Sequence, residues 1–426
     1  MTVTPAMSEP VTGERPAHRD PDVLRWLGAY ASSAIGDNIY YVALSWAAVQ
    51  AGTPSQAGLV MAVSAVPRAL LMLGGGVVAD RFGPRRVLIA GNGARCAAVV
   101  AVAVLLLVSS PGLWLLGLLA LVFGAVDAML MPALGALPTR IAPRGQLARV
   151  QGMRGMASRL AHVVGAPLGG LCVALGGAAA AFGAAALLFA AALLFATALP
   201  LLMAVRMGRG PQEWSAGQEA PGRPPASREL RDGLRHIRRN PVLARLMAVI
   251  ALSDLGFVGP LNVGLILLAD ERGWGAAGMG WVLAGFGAGA GAMSLLLTVR
   301  GRVPRAGLVL SVSIGVGAVA IGALAYVPTL AAAVGTALAV GLLAGLSGTL
   351  CGALVQTESD PAYVGRVTSV SGLFSLGLAP LTFPVTGAAI ARWGTGPVFA
   401  ASAGVCVLGG LIGLSSRALR HAELPG

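Results

Sequence analysis

Apolar runs of roughly 20 residues recur along the whole chain, the length needed to cross about 30 Å of hydrocarbon. They fall at 23–50, 57–79, 87–109, 113–138, 156–176, 178–204, 243–268, 276–299, 306–327, 329–355, 367–391 and 396–416. The runs are continuous, not alternating, so they predict helices and not the strands of a barrel. The expected fold is an all-α membrane protein with twelve transmembrane helices. The longest polar interval, 205–242, divides them six and six. An N-terminal bundle is expected over 23–204 and a C-terminal bundle over 243–416, with polar tails at 1–22 and 417–426.

Composition agrees. Of 426 residues, 56% are hydrophobic and only 11% charged, with a mean hydropathy of +0.79. Soluble domains carry roughly a quarter charged residues, so lipid is the expected solvent. The net charge is +13, and all 30 basic residues are arginine. A basic excess can signal nucleic acid. Here the arginines fall between the apolar runs, so topology explains them and no nucleic-acid partner is expected. The loops after spans 1, 3, 5 and 9 carry no arginine, and those after spans 7 and 11 carry one each, Arg272 and Arg392. The arginines of the tails and of the other loops lie on the opposite side, nine of them between Arg206 and Arg245. By the positive-inside rule both termini are cytoplasmic, in a multi-pass protein of the cytoplasmic membrane. Residues 1–22, with Pro5, Pro10, Pro16 and Pro21, read as a short disordered tail.

Within the long interval, the first part is rich in Gly and Pro and reads as a flexible linker. The second part sets Leu230, Leu234 and Ile237 on one helical face, apart from Arg231, Arg235, Arg238 and Arg239. That pattern predicts an amphipathic helix lying on the inner leaflet. A regulatory partner site is the alternative.

The halves repeat. At an offset of 220, Gly58, Pro84, Arg85 and Leu88 match Gly278, Pro304, Arg305 and Leu308. At 217, Arg149, Val150, Gly155, Pro167, Gly170 and Gly177 match Arg366, Val367, Gly372, Pro384, Gly387 and Gly394. A duplicated six-helix unit points to two pseudo-symmetric bundles and a transporter with a central site between them.

The densest motif is Gly76-Val-Val-Ala-Asp80-Arg81-Phe-Gly83-Pro-Arg85-Arg86, between spans 2 and 3. An acid there can pair with an arginine or a helix N-terminus, and such a contact can latch one conformation and break in another. This loop resembles the signature loop of the major facilitator superfamily. The resemblance implies that Gly76, Asp80, Arg81, Gly83 and Arg85 form a conformational latch. The second-half counterpart, Arg300-Gly-Arg302-Val-Pro304-Arg305, lacks the acid. Gly165-Ala-Pro167-Leu-Gly169-Gly170 resembles the helix-bending element of drug–proton antiporters, with Ala166 as a departure. Asp232-Gly-Leu-Arg-His-Ile-Arg-Arg-Asn-Pro241 looks like the exporter branch that holds enterobactin-type siderophore exporters and actinobacterial drug efflux pumps.

Ionisable residues within apolar spans are costly and usually face a cavity or a partner. Asp37 lies twelve residues past Arg25 and Asp254 nine past Arg245, both deep by the helical rise. Asp127, Arg68 and Arg95 lie in spans 4, 2 and 3. Asp37 is the candidate proton-coupling or substrate-binding carboxylate, with Asn38 and Tyr41 beside it. A structural pair with Arg68 or Arg95 is the alternative reading. Asp127 reads equally as a packing or latch residue. Asp254 precedes Gly256 and Gly259-Pro260, an interrupted stretch of the kind that frames transporter sites. Arg68 and Arg95 can instead bind an anion, and His162 reads as a packing or interfacial residue and not a proton relay.

No catalytic constellation is present: the sequence holds no P-loop, HExxH or GxSxG, and its four cysteines form no CxxC. No enzyme activity, cofactor or metal is expected. The expected function is secondary active export of a small molecule (a drug, siderophore or natural product) by alternating access. Proton antiport through a monomer is the expected mechanism. An importer of the same fold and a non-transporting membrane sensor or assembly protein are the alternatives.

Overall fold

The computed structural model describes residues 19–82, 84–108, 112–137, 146–206, 226–300, 303–360 and 363–423. Among these the chain is helical, without strands. The first half comprises α1 (Pro21–Ala51), α2 (Pro54–Phe82), α3 (Pro84–Val108), α4 (Leu113–Ala136) and α5 (Leu147–Arg206). A linker helix, α6 (Ala226–Arg239), follows. The second half begins with α7 (Pro241–Gly259), a π-helical turn at Pro260–Gly264, and α8 (Leu265–Glu271), which together make one crossing. It continues through α9 (Gly275–Arg300), α10 (Ala306–Leu324), α11 (Leu330–Glu358), α12 (Val364–Trp393) and α13 (Thr395–Ser415), and ends in the short α14 (Arg417–Arg420).

Among the described residues, eight helical stretches are long and apolar enough to cross a membrane. One of them, in α5, folds back on itself at Gly176–Gly177 and so supplies two crossings. With α1, α2 and α12 the total is twelve crossings, six on each side of α6.

The repeat is visible in the backbone. Gly177 turns α5 with φ 70° and ψ −172°, and Gly394 makes the corresponding turn between α12 and α13 with φ 79° and ψ 172°. These positions stand 217 residues apart. That region of φ/ψ space is open essentially to glycine alone. A Cβ at Gly394 would meet no atom within 4 Å, so the requirement is purely conformational. Gly394→Ala is therefore expected to cost about 1–3 kcal/mol, read as a lower melting temperature in detergent, with no cavity or clash to confound it.

Local chemistry sets the helix ends. Asp20 caps α1, its side chain accepting from the Asp22 amide at 2.9 Å. Asn240 caps α7, accepting from Val242 and Leu243. Thr329 caps α11 through the Ala332 amide. Each cap satisfies amide donors that the helix cannot. α5 begins nine residues before the apolar run it contains, so Arg149 and Arg154 sit in its first turns and not in a loop. The Arg154 guanidinium lies 5.2 Å from the Tyr30 ring.

The halves close together over the face that bears few arginines. A Cβ at Gly58 of α2 would stand 2.7 Å from the Phe383 carbonyl oxygen, and one at Gly387 of α12 2.6 Å from that of Pro54. Across the pseudo-twofold, α5 and α9 meet the same way. Gly170 lies against the Ala276 carbonyl, and a Cβ at Gly280 would be 2.7 Å from that of Ala166. Missing side chains bring the backbones into contact, the usual logic of helix association in lipid. One apolar cluster crosses the seam, joining Ile39, Ala43 and Ala57 to Val263, Ala276 and Phe383. Gln50 donates to Asp270 at 3.1 Å across the same face.

Candidate functional site

A cavity of about 350 Å³ lies between the halves, with walls from α1, α2, α5, the α7–α8 crossing, α9 and α12. Asn38, Tyr41, Arg68, His162 and Asn262 supply its polar wall; Met61, Met279, Phe286 and Phe383 supply apolar area. The first half contributes the charge. Asn262 sits in the π-helical turn, its amide donating to the Val258 carbonyl at 2.8 Å. Such turns recur at functional sites because they reorient side chains without breaking the helix. The interrupted stretch after Asp254 is therefore a bulge, and the chain stays helical through it.

Six of the expected site residues gather in or behind this wall. Arg95 of α3 is the centre. Its guanidinium lies 3.1 Å from Asp37 and forms a closer ion pair with Asp127. It also donates to Ser33 at 3.3 Å. Its charge lies 5.7 Å from the rings of Phe123 and Phe189, an aromatic sleeve that fixes it. Arg68 of α2 binds the other oxygen of Asp127 at 2.9 Å and also contacts the Tyr41 hydroxyl. Tyr41 in turn donates to Asp127 at 3.4 Å. Asn92 holds Ser33 by accepting its hydroxyl proton at 3.1 Å.

Two carboxylates thus face two guanidiniums, and the cluster is neutral. Charged groups are tolerated away from water only when paired. The two acids differ. Asp127 is held by Arg68, Arg95 and Tyr41, and its side chain is 6% exposed. Among the described residues, Asp37 is ion-paired with Arg95, and its side chain is 29% exposed. Asn38, Tyr41 and Arg68 reach the cavity; Asp37, Arg95 and Asp127 are not among its lining residues.

Asp254 does not join this cluster. It lines two adjoining cavities of about 180 and 320 Å³ inside the second half, with Ser253 and Ser347 in both. Of the signature loop, Gly83 lies outside the described residues, as do the side chains of Asp80, Arg81 and Arg85 and the surroundings of Gly76. The Gly165–Gly170 element is continuous helix through Pro167; the non-helical residues of α5 are Gly176 and Gly177. Its glycines are sites of close packing. Gly165 and Gly169 lie against Asn38, Ile39 and Val42 of α1, and Gly170 against α9.

Sequence reasoning passed over His162 as a packing residue, because the start of α5 was placed too late and His162 fell in its first turns. With α5 beginning at Leu147, His162 is four turns in and faces the cavity.

Solved transporter structures share this architecture. The chain superposes on the nucleoside transporter NupG with a TM-score of 0.69 at 14% identity, covering 92% of this chain and 98% of that one. The D-xylose-proton symporter gives 0.64 at 15%, covering 92% and 95%. A bacterial homolog of the human lysosomal transporter Spinster, inward-facing and unoccupied, gives 0.59 at 16%, covering 96% and 97%. At these identities the likeness concerns the fold. No curated protein matches the sequence. The family model of the Major Facilitator Superfamily matches residues 26–378, most of the chain, and with the twelve-helix fold around a central cavity it establishes that this multi-pass membrane transporter belongs to that superfamily.

Proposed function

We propose that the protein exports a small molecule across the cytoplasmic membrane by alternating access, in exchange for protons, as a monomer with both termini in the cytoplasm. The observation that carries this reading is the neutral cluster of Asp37, Arg95, Asp127 and Arg68 beside the central cavity. In it Asp37, ion-paired with Arg95, is the acid with the greater exposure. A proton on Asp37 removes the charge that Arg95 answers, so Arg95 turns wholly to Asp127. The loss of one ion pair in a rigid helical wall is a discrete change that can bias two packings of the halves. Asp127 is the fixed counter-charge that keeps both arginines in place through that change.

Export is favoured by the resemblance of the Asp232–Pro241 stretch and the Gly165–Gly170 element to exporters. The cavity's volume and mixed lining suit a drug-like or natural-product molecule with an apolar body and a few polar groups. Arg68, His162, Asn38 and Tyr41 are the groups placed to orient it, and Asp254 offers a second, anionic station in the other half.

The test uses proteoliposomes with a trapped pH dye and a panel of cationic and anionic fluorescent substrates. Uphill substrate movement opposite to proton movement is the expected result, lost when the pH gradient is collapsed. In Asp37→Asn, uphill transport is expected to fall at least tenfold, while substrate exchange at equal concentrations, which needs no net proton movement, continues. Uphill transport that survives in Asp37→Asn removes the coupling role. Co-directional movement of substrate and protons replaces export with symport.

A further inference from the structure

α6 is a docked element and not a free linker. Ile237 is 4% exposed, packed with Leu243, Leu246, Leu350, Leu354 and Val367 of the second half. His236 stacks on Tyr363, ring centroids 4.5 Å apart and planes 3° from parallel, and the Arg366 guanidinium lies 5.2 Å from the same ring. Asn240 ties the far end by donating to the Glu358 carbonyl at 3.2 Å. Ile237 is therefore spent on protein and not on the bilayer.

The opposite edge is unspent. Arg231, Arg235, Arg238 and Arg239 are all exposed. At about 100° per residue, the first three lie within roughly 60° of one another around the helix and the fourth is adjacent. Arg239 stands two residues before Pro241, where the apolar span Pro241–Glu271 begins. The arginine edge thus ends at the depth of lipid headgroups. The next arginine, Arg245, is occupied by Ser416 at 2.7 Å.

We infer that this edge of α6 is a binding site for an anionic phospholipid headgroup, whose occupancy acts on the transport cycle through Tyr363. Guanidinium groups take phosphate oxygens two at a time, and juxtamembrane cationic clusters concentrate at anionic leaflets. The anions present in quantity at that depth are lipid phosphates. Tyr363 immediately precedes α12, which carries Phe383 to the cavity wall and Gly387 to the seam between the halves. A headgroup that holds α6 holds the base of α12, and therefore weights one packing of the halves against the other. This rests on the transporter fold and not on substrate, direction or coupling ion.

The test uses the full chain in vesicles of phosphatidylcholine alone or with phosphatidylglycerol. The readouts are phosphatidylglycerol retained on the protein in native mass spectrometry and the distance between spin labels at Gln50 and Asp270. The wild type is expected to retain phosphatidylglycerol in preference and to shift its distance distribution when that lipid is present. The variant Arg231→Gln/Arg235→Gln/Arg238→Gln/Arg239→Gln is expected to retain at least fivefold less and to show no shift. If the quadruple variant does not fold, Arg231→Gln/Arg235→Gln is expected to lose part of both. Equal retention in wild type and variant overturns the site, as does a shift produced equally by inorganic phosphate over pure phosphatidylcholine. His236→Ala, which removes the stack on Tyr363, is expected to keep the lipid but lose the shift; an undiminished shift overturns the route through Tyr363.

Discussion

Arg95→Leu is expected to be the most damaging single substitution in the chain, abolishing transport and lowering the yield of folded protein. Arg95 is 3% exposed and answers two carboxylates, Asp37 and Asp127. Leucine fills much of the space between Phe123 and Phe189 but leaves Asp127 with Arg68 alone and Asp37 with no guanidinium. Removing one member of a buried ion pair costs about 3–5 kcal/mol, because the partner remains charged and unanswered. Net stabilities of whole domains are only about 5–15 kcal/mol, so the loss is a large fraction of the total. The check is thermal unfolding in detergent beside transport in vesicles. Adding Asp37→Asn to Arg95→Leu removes the unanswered charge while Arg68 still answers Asp127, and is expected to recover part of the stability and none of the transport. A fully stable Arg95→Leu would show that the acids are held some other way.

Asp37→Asn is the informative contrast. It leaves Arg95 paired with Asp127, so the stability loss is expected to be well below that of Arg95→Leu. The two variants therefore separate holding the wall together from carrying a proton. A common loss of stability in both would assign Asp37 a purely structural part.

The spans were legible because their ends carry the signal. Arginine alternation and proline or glycine at the turns mark where each helix enters or leaves lipid. Gly177 and Gly394 were legible as a repeat for a physical reason, since their φ/ψ values admit little else. The site was legible as a set of residues but not as a network. Asp37 was open to pairing with either Arg68 or Arg95; the fold gives it Arg95, while Asp127, read as a latch or packing residue, receives both arginines. Hydropathy does not say which way a helix face turns, because lipid and the bundle interior are both apolar. The Gly165–Gly170 element shows the same limit. A proline among glycines signals a bend, yet the neighbours of those glycines are α1 and α9, and close packing is what the small residues accomplish. For α6, protein covers Ile237 of the apolar stripe, where lipid was expected.

Gly170→Leu is expected to stop transport by at least tenfold while leaving the protein folded, and the reason lies in what each glycine of the seam touches. The neighbours of Gly170 are Ala276 and Ala277, and those of Gly58 are Phe383 and Gly387, all from the opposite half. The neighbours of Gly169 are Ile39 and Val42, from its own half. A side chain at Gly170 or Gly58 therefore clashes only while the arginine-poor face is closed. Overpacking of this kind costs about 1–3 kcal/mol. Since 1.4 kcal/mol is a tenfold change in an equilibrium, the cost falls on one conformer and shifts the population toward the face being open. A side chain at Gly169 strains the first half in every conformer, so Gly169→Leu is expected to lower the melting temperature instead. Spin labels at Gln50 and Asp270, whose side chains are hydrogen-bonded across the closed face, read the difference directly once the four native cysteines are replaced. Gly170→Leu should show the long distance alone and an unchanged melting temperature. A short distance retained in Gly170→Leu would mean that α5 and α9 can slide past the added side chain. The seam would then be a packing surface without a gating part.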